Sequence, residues 1–342
     1  MWKYIARKLL LIVPLVWCVV TLIFVLIELS PGDVADKFFT PETPPEVRTL
    51  IVAKYHLDDP SYVRYLAMLR NLVLFDFGRS MTQERPVFEM IAQALPNTIL
   101  LSLVTLGVVY PTAIVTGTIQ AVRHNGPVDT TLSVGTLVLY SMPAFWLGLM
   151  LQLLMSYYWS GWVADQAHAG TMSRWITDLL TVPSAGMMDP VQYDFMSGGE
   201  RLVDRLKHLI LPGVAMGLAE AGGIARYMRS ALLEVIRKDF VRTARAKGMR
   251  ERTVVIRHAL RNALLPLLTL LGLSMPALFS GSVLIETIFA WPGMGRLIIS
   301  AIYAQDTPVI IATFYVFTLL VVFGNLLADI AYAWADPRIK YD

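Results

Sequence analysis

Apolar residues in this chain gather in long unbroken blocks, not in the stripes of period 3.6 or 2 that one-sided burial produces. Six blocks approach or exceed the roughly 20 residues a helix needs to cross a hydrocarbon core. They cover residues 9–28, 98–122, 132–158, 209–228, 263–285 and 308–330. The fourth is the weakest, because it holds Glu220 and the flexible pair Gly222 and Gly223. A cleaved leader is an alternative for the first block, but its core is longer than a leader's usual apolar region and no A-x-A-like site follows. The pattern predicts an all-α integral membrane protein with six transmembrane helices. Without an internal repeat or a low-complexity tract, residues 1–342 read as a single transmembrane domain.

Orientation follows from Lys and Arg, which accumulate in cytoplasmic flanks. Lys3, Arg7 and Lys8 precede the first block, and a short turn from Arg123 to Asp129 separates the second from the third. The stretch from Arg226 to Arg261 holds eleven basic residues against Glu234, Asp239 and Glu251. Arg338 and Lys340 lie in the tail. With six spans these four regions share one side, so both termini are expected in the cytoplasm and residues 229–262 form a cytoplasmic loop. Residues 30–96 and 159–207 are then the outer segments. The first, with Pro41, Pro44 and Pro45, reads as an ordered loop. The second carries Trp159, Trp162 and Trp175, the kind of aromatic enriched at membrane interfaces, and suits short surface helices.

Composition agrees: 56% of the 342 residues are hydrophobic and 16% charged, against roughly a quarter charged in soluble domains. A net charge of +3 does not suggest a nucleic-acid partner. Cys18 stands alone, which excludes an intramolecular disulfide and a thiolate metal site, and five scattered His residues do not form a zinc motif. There is no G-x-x-x-x-G-K-[ST] loop to cradle phosphates. No catalytic, cofactor-binding or metal-binding residue is therefore expected in this chain.

Glu220 is the one strong candidate for an ionisable group within a span. It reads either as a group facing a water-filled path or as an acid near a span end, paired with a basic neighbour. Pro143 and Pro276 interrupt apolar blocks, where a missing amide kinks a helix. Met142, Pro143, Phe145, Glu220 and Pro276 are the candidates for a pathway or gate, with Trp146 beside them; packing or lipid contact is the alternative for each.

The most informative segment runs from Asp239 to Pro266: D-F-V-R-T-A-R-A-K-G-M-R-E-R-T-V-V-I-R-H-A-L-R-N-A-L-L-P. Helix formers continue to Lys247, Gly248 supplies a stop, and a second helix begins soon after. Ala244 and Gly248, four apart, put two small residues on one face where another protein can approach. From charge alone, the same stretch also reads as a solvated basic loop that sets topology.

R-T-A-R-A-K-G and H-A-L-R-N-A-L-L-P within this segment closely resemble the EAA loop of permease subunits in the dipeptide and oligopeptide branch of ATP-binding-cassette (ABC) importers. Aligning Gly248 with the loop's glycine puts Arg242, Thr243 and Ala244 where the general pattern has Glu, Ala and Ala, and Arg261 where it has the proline of I-x-L-P. Those departures fit the peptide branch. Further strings agree along nearly the whole length: S-P-G-D at Ser30–Asp33, F-D-F-G-R-S at Phe75–Ser80, S-M-P-A-F-W at Ser141–Trp146, E-T-I-F-A-W-P-G-M-G-R-L at Glu286–Leu297 and D-P-R-I at Asp336–Ile339.

The resemblance implies a type I ABC importer permease fold. The expected partners are a second homologous permease, two ATPase subunits that hold ATP and Mg, an extracytoplasmic solute-binding protein and the lipid bilayer. By the same likeness, Arg242, Thr243, Ala244, Arg245, Ala246, Lys247, Gly248, Met249, Arg250, Glu251, Arg257 and His258 would couple the chain to an ATPase subunit. Related importers carry nickel chelates, glutathione or oligosaccharides, which leaves the cargo open. An ion-coupled secondary carrier would need deep charges and no dock; a membrane scaffold would fit the basic loop but would not require the kinked spans.

Overall fold

The computed structural model describes residues 2–29 and 59–335. The S-P-G-D string, Pro41, Pro44, Pro45, the D-P-R-I string and Lys340 lie outside the described residues. The described residues are almost wholly helical, and they divide into two compact units: Met1–Ala94 with Leu297–Val322, and Leu95–Arg296 with Phe323–Tyr341.

In the first unit, α1 (Trp2–Glu28) and α2 (Ser61–Val73) are joined by side chains. Glu28 accepts from Ser61 Oγ at 2.6 Å and pairs with Arg64 at 2.5 Å, and the hydroxyls of Thr21 and Tyr65 meet at 2.7 Å. A tight turn then leads into α3 (Val87–Val122). It is fastened by the buried Asp306, whose carboxylate accepts from Ser80 Oγ at 2.5 Å, Met81 N at 3.1 Å, and Thr82 N and Oγ1 at 3.2 and 2.8 Å. Phe75 and Phe77 pack edge-on against Tyr315 beside it.

The second unit is built around α8 (Gly198–Ile236), a 39-residue helix opened by a capping box in which Ser197 and Glu200 exchange hydrogen bonds. Against it lie α3, α4 (Pro127–Ser141), α5 (Ala144–Leu151) and α10 (Leu265–Ile288). Gly222 allows one of these approaches, since a Cβ there would collide with the Thr136 carbonyl oxygen and meet Tyr140 Cβ at 3.1 Å. The glycine pair that weakens the fourth apolar block as a sequence signal is therefore a packing device. The first core cluster joins Val109, Ala113, Ala225, Met228 and Leu232 to residues of the basic loop; the second joins Leu101, Leu209, Ala215, Ile285, Phe289 and Trp291.

Pro143 breaks the third apolar block outright. α4 ends at Ser141 and the chain resumes as Ala144–His168 at an angle of 102°, a sharper change than a kink. After α5 the backbone winds as a π-helix over Gln152–Trp159 and continues as α6 (Ser160–His168). Gln152, Ser156 and Ser160, spaced by four, reach the carbonyls of Ser184, Pro183 and Val182 at 2.6, 3.1 and 3.4 Å, which lays the strand after α7 (Arg174–Leu180) along this segment. Residues 159–207 thus contain short helices, and Trp159, Trp162 and Trp175 are exposed.

Four described helices are long and apolar enough to cross a membrane: Leu10–Glu28, Val87–Val122, Gly198–Ile236 and Thr307–Leu326; the bent pair makes a fifth if it is one broken span. α10 covers the fifth apolar block of the sequence. It is followed by α11 (Met294–Ala304) and α12 (Thr307–Ala335).

Candidate functional site

The basic loop folds as a helix, a turn and a second helical stretch. α9 (Asp239–Ala246) starts with Asp239 in its first turn, where a carboxylate complements the helix dipole. It stops at Gly248, whose φ of +73° lies in the left-handed region that glycine enters without steric cost. The chain then continues through Glu251–Thr253 and a π-helical Val254–Leu260 to Arg261–Ala263.

The α9 surface is sharply divided. Val241 and Ala244 point inward and join Val235, Val254 and Ala259 in the core. Ala244 is only 6% exposed, so it does not offer the approach surface that its four-residue spacing from Gly248 suggests. It packs the loop onto its own chain instead, because the apolar positions of α9 are needed to anchor so short a helix. Arg242, Thr243, Arg245, Ala246, Lys247, Gly248, Arg250, Glu251 and Arg257 are exposed, while Met249 and His258 are half-buried.

Arg245 grips Glu251 with two bonds, Nη2 to Oε1 at 2.6 Å and Nε to Oε2 at 3.1 Å, which brace the turn and hold the Glu251 carboxyl below its usual range. Among the described residues no ion pair engages Lys247, Arg250, Arg252 or Arg257. These cations are exposed, as are Phe240 and Ile256, at 42% and 51%.

The same helix ends are tied together from within. Asp129, at the start of α4, is buried and takes Arg229 of α8 in a fork, Oδ1 from Nε at 2.9 Å and Oδ2 from Nη2 at 2.8 Å. Asn125 N adds a bond at 3.0 Å, and His124 Nδ1 stands 3.0 Å from Arg229 Nη2. The turn from Arg123 to Asp129 and the approach to the basic loop are one assembly.

At the other end of α10, a buried carboxylate organises a hairpin between α10 and α11. Glu286 is 0% exposed. It accepts from Thr98 Oγ1 at 2.7 Å and Arg296 N at 3.0 Å, while Thr98 Oγ1 in turn accepts from Met294 N at 2.8 Å. Trp291 Nε1 donates to the Asn97 carbonyl at 3.0 Å and Asn97 Nδ2 to the Pro292 carbonyl at 2.8 Å. Gly293 leaves room for the acid: a Cβ there would lie 2.5 Å from the carboxyl carbon. The role of Glu286 was not drawn from the sequence. Its signal was an acid closing an apolar block with G-M-G seven residues on.

Of the pathway candidates, Pro143 and Phe145 are exposed and Met142 is half-buried at the α4–α5 break, whereas Glu220 is half-buried on α8. Pro276 lies within α10, with its side chain outside the described residues. Among the described residues, no group of three or more His, Cys, Asp or Glu side chains is placed to hold a metal ion.

The described residues form long apolar helices with an exposed basic helix-turn-helix, and comparison with known proteins gives the family. Residues 113–341 match the family described as "Binding-protein-dependent transport system inner membrane component". The chain belongs to this family and is an integral inner-membrane permease component. It is 38% identical over 339 residues to the oligopeptide transport system permease protein AppB of Bacillus subtilis (strain 168), covering 99% of each chain. It is 37% identical over 346 residues to the di/tripeptide transport system permease protein DppB of Pseudomonas aeruginosa (strain UCBPP-PA14), covering 100% of this chain and 99% of that protein. Among solved structures, it shares its fold with an inward-facing MetNI methionine ABC transporter, at a TM-score of 0.53 and 17% identity over 73% of this chain and 98% of that one. This is the type I ABC importer permease fold.

Proposed function

We propose that this chain forms half of the translocation pathway of an ATP-driven importer of di- or oligopeptides. The observation that carries the reading is similarity over nearly the full length to peptide permeases, at 37–38% identity, combined with an exposed basic loop in which Lys247, Arg250, Arg252 and Arg257 have no ion pair among the described residues. The chain has six spans with both termini in the cytoplasm. A second, homologous permease completes the pathway, two ATPase subunits bind and hydrolyse ATP with Mg, and a solute-binding protein delivers cargo on the outer side. The surface from Arg242 to Arg257 docks on one ATPase subunit, its arginines paired with acidic residues there. Coupling requires that this contact differ in free energy between the open and closed ATPase states.

The dock is tested at Gly248. A Cβ there meets no atom within 4 Å, so a large side chain finds open space, at a backbone strain of about 1–2 kcal/mol for its φ of +73°. Gly248→Trp is expected to insert and co-purify with the second permease, yet to uncouple ATP hydrolysis from uptake in proteoliposomes. Wild-type uptake by this variant would sink the docking assignment, and purification without any ATPase or second permease would sink the importer reading.

A further inference from the structure

Glu220 is the acid in the interior of α8 for which neither the packing nor the docking surface has a use. It stands thirteen positions after Lys207 and six before Arg226, the nearest basic residues on either side along the helix. At about 1.5 Å per residue these distances are roughly 20 and 9 Å, which puts the carboxylate well inside a hydrocarbon core of about 30 Å. With residues 209–228 taken as the fourth span the acid is deep, not interfacial, and depth decides between the two readings of an intramembrane acid.

Its surroundings leave it unanswered. Among the described residues no hydrogen bond or ion pair reaches the Glu220 carboxylate. The nearest cation along the helix, Arg226, is committed elsewhere: its guanidinium lies over the Tyr140 ring, 4.6 Å from the centroid. Glu220 is nevertheless only half-buried. A deep carboxylate with no partner among the described residues cannot face acyl chains cheaply. It belongs where water or a cationic group passes.

From this placement we infer that Glu220 is a binding point within the pathway for the cationic α-ammonium group of a peptide in transit. This rests on the peptide-importer reading and gives it a site. A carboxylate accepts charge-assisted hydrogen bonds from an ammonium whatever side chains follow, so it recognises a feature common to peptides of varied sequence. Acetylation of the peptide's N-terminus removes the positive charge while leaving one N–H, so a neutral N-terminus loses the charge-assisted part of the contact.

The test uses the whole transporter, purified with its second permease, ATPase and binding-protein subunits and placed in liposomes. Trialanine and its N-acetyl form are supplied far above saturation of the binding protein, so that translocation sets the rate. Glu220→Gln should lower trialanine uptake about ten-fold, as loss of one charge-assisted contact does, while Glu220→Asp retains most of it. N-acetyl-trialanine uptake, where it occurs, should change less than two-fold in either variant. Wild-type trialanine uptake by Glu220→Gln overturns the assignment and leaves the importer intact. Loss of the second permease on purifying Glu220→Gln also overturns it, since the carboxylate would then be an interface group. A wild-type transporter that moves no peptide at all removes the peptide reading, and this site with it.

Discussion

Two charged regions of the second unit, the hairpin at Glu286 and the basic loop at Arg242–Arg257, handle charge in opposite ways. The hairpin buries one carboxylate completely and surrounds it with donors from α3 and from its own backbone. The loop leaves most of its guanidinium groups in the open and spends only a few on local pairs such as Arg245 with Glu251. A buried charge whose partners are all present holds a shape, whereas an exposed charge without partners is a surface waiting for one. The difference separates architecture from contact in a chain where both are rich in charge.

If the contrast is right, damage to the hairpin should cost stability and damage to the loop should cost coupling. The largest stability effect is expected from Gly293→Ala. Its new Cβ would sit 2.5 Å from the Glu286 carboxyl carbon, and the acid is tethered and cannot swing aside. Overpacking of this kind costs about 2–3 kcal/mol, read as a lower melting temperature of the purified chain in detergent. An unchanged melt would show that the hairpin yields.

Thr98→Val comes next. It removes a donor to Glu286 and the acceptor of Met294 N, leaving the buried Met294 amide unsatisfied and the acid with one donor fewer. Roughly 1–3 kcal/mol should be lost in the same melt, and Thr98→Ser, which keeps the hydroxyl, should recover most of it. A valine variant as stable as wild type would remove the hydroxyl from the account, since valine keeps the methyl group.

The smallest effect belongs to the loop. Glu251 titrates below its ordinary value of 4.5 because Arg245 bonds its charged form. The folded pKa is therefore lower than the unfolded one, so the pair's stabilisation is present above the unfolded value and disappears as pH falls through the lowered one. Both side chains are exposed, which limits the contribution to a few tenths of a kcal/mol, or about 0.5 at most. Melts of wild type and Glu251→Gln should differ by that little near neutral pH and converge on acidification; a gap that persists in acid would remove the ion pair as its cause.

Much of this was readable in advance, and the reasons are physical. A membrane demands long apolar blocks with their backbones satisfied internally, so helices appear where uncharged residues run on. The stop at Gly248 was readable because only the absence of a Cβ makes its backbone conformation cheap. Ala244 was misjudged because a four-residue spacing says which residues share a helix face, not what that face meets. Pro143 was read as a kink, yet the chain turns through 102°, because the angle depends on the space available to α5 beside α8 and α10.

The sequence by itself determined the membrane class, the helical content, the basic loop and the family to which its strings belong, since each depends on local composition or on contiguous residues. Only the tertiary structure decided which charges are internal. Thr98 and Glu286 are 188 positions apart, and Asp129 and Arg229 are 100 apart. Pairings over such separations arise from the packing of whole helices, and no local pattern encodes them.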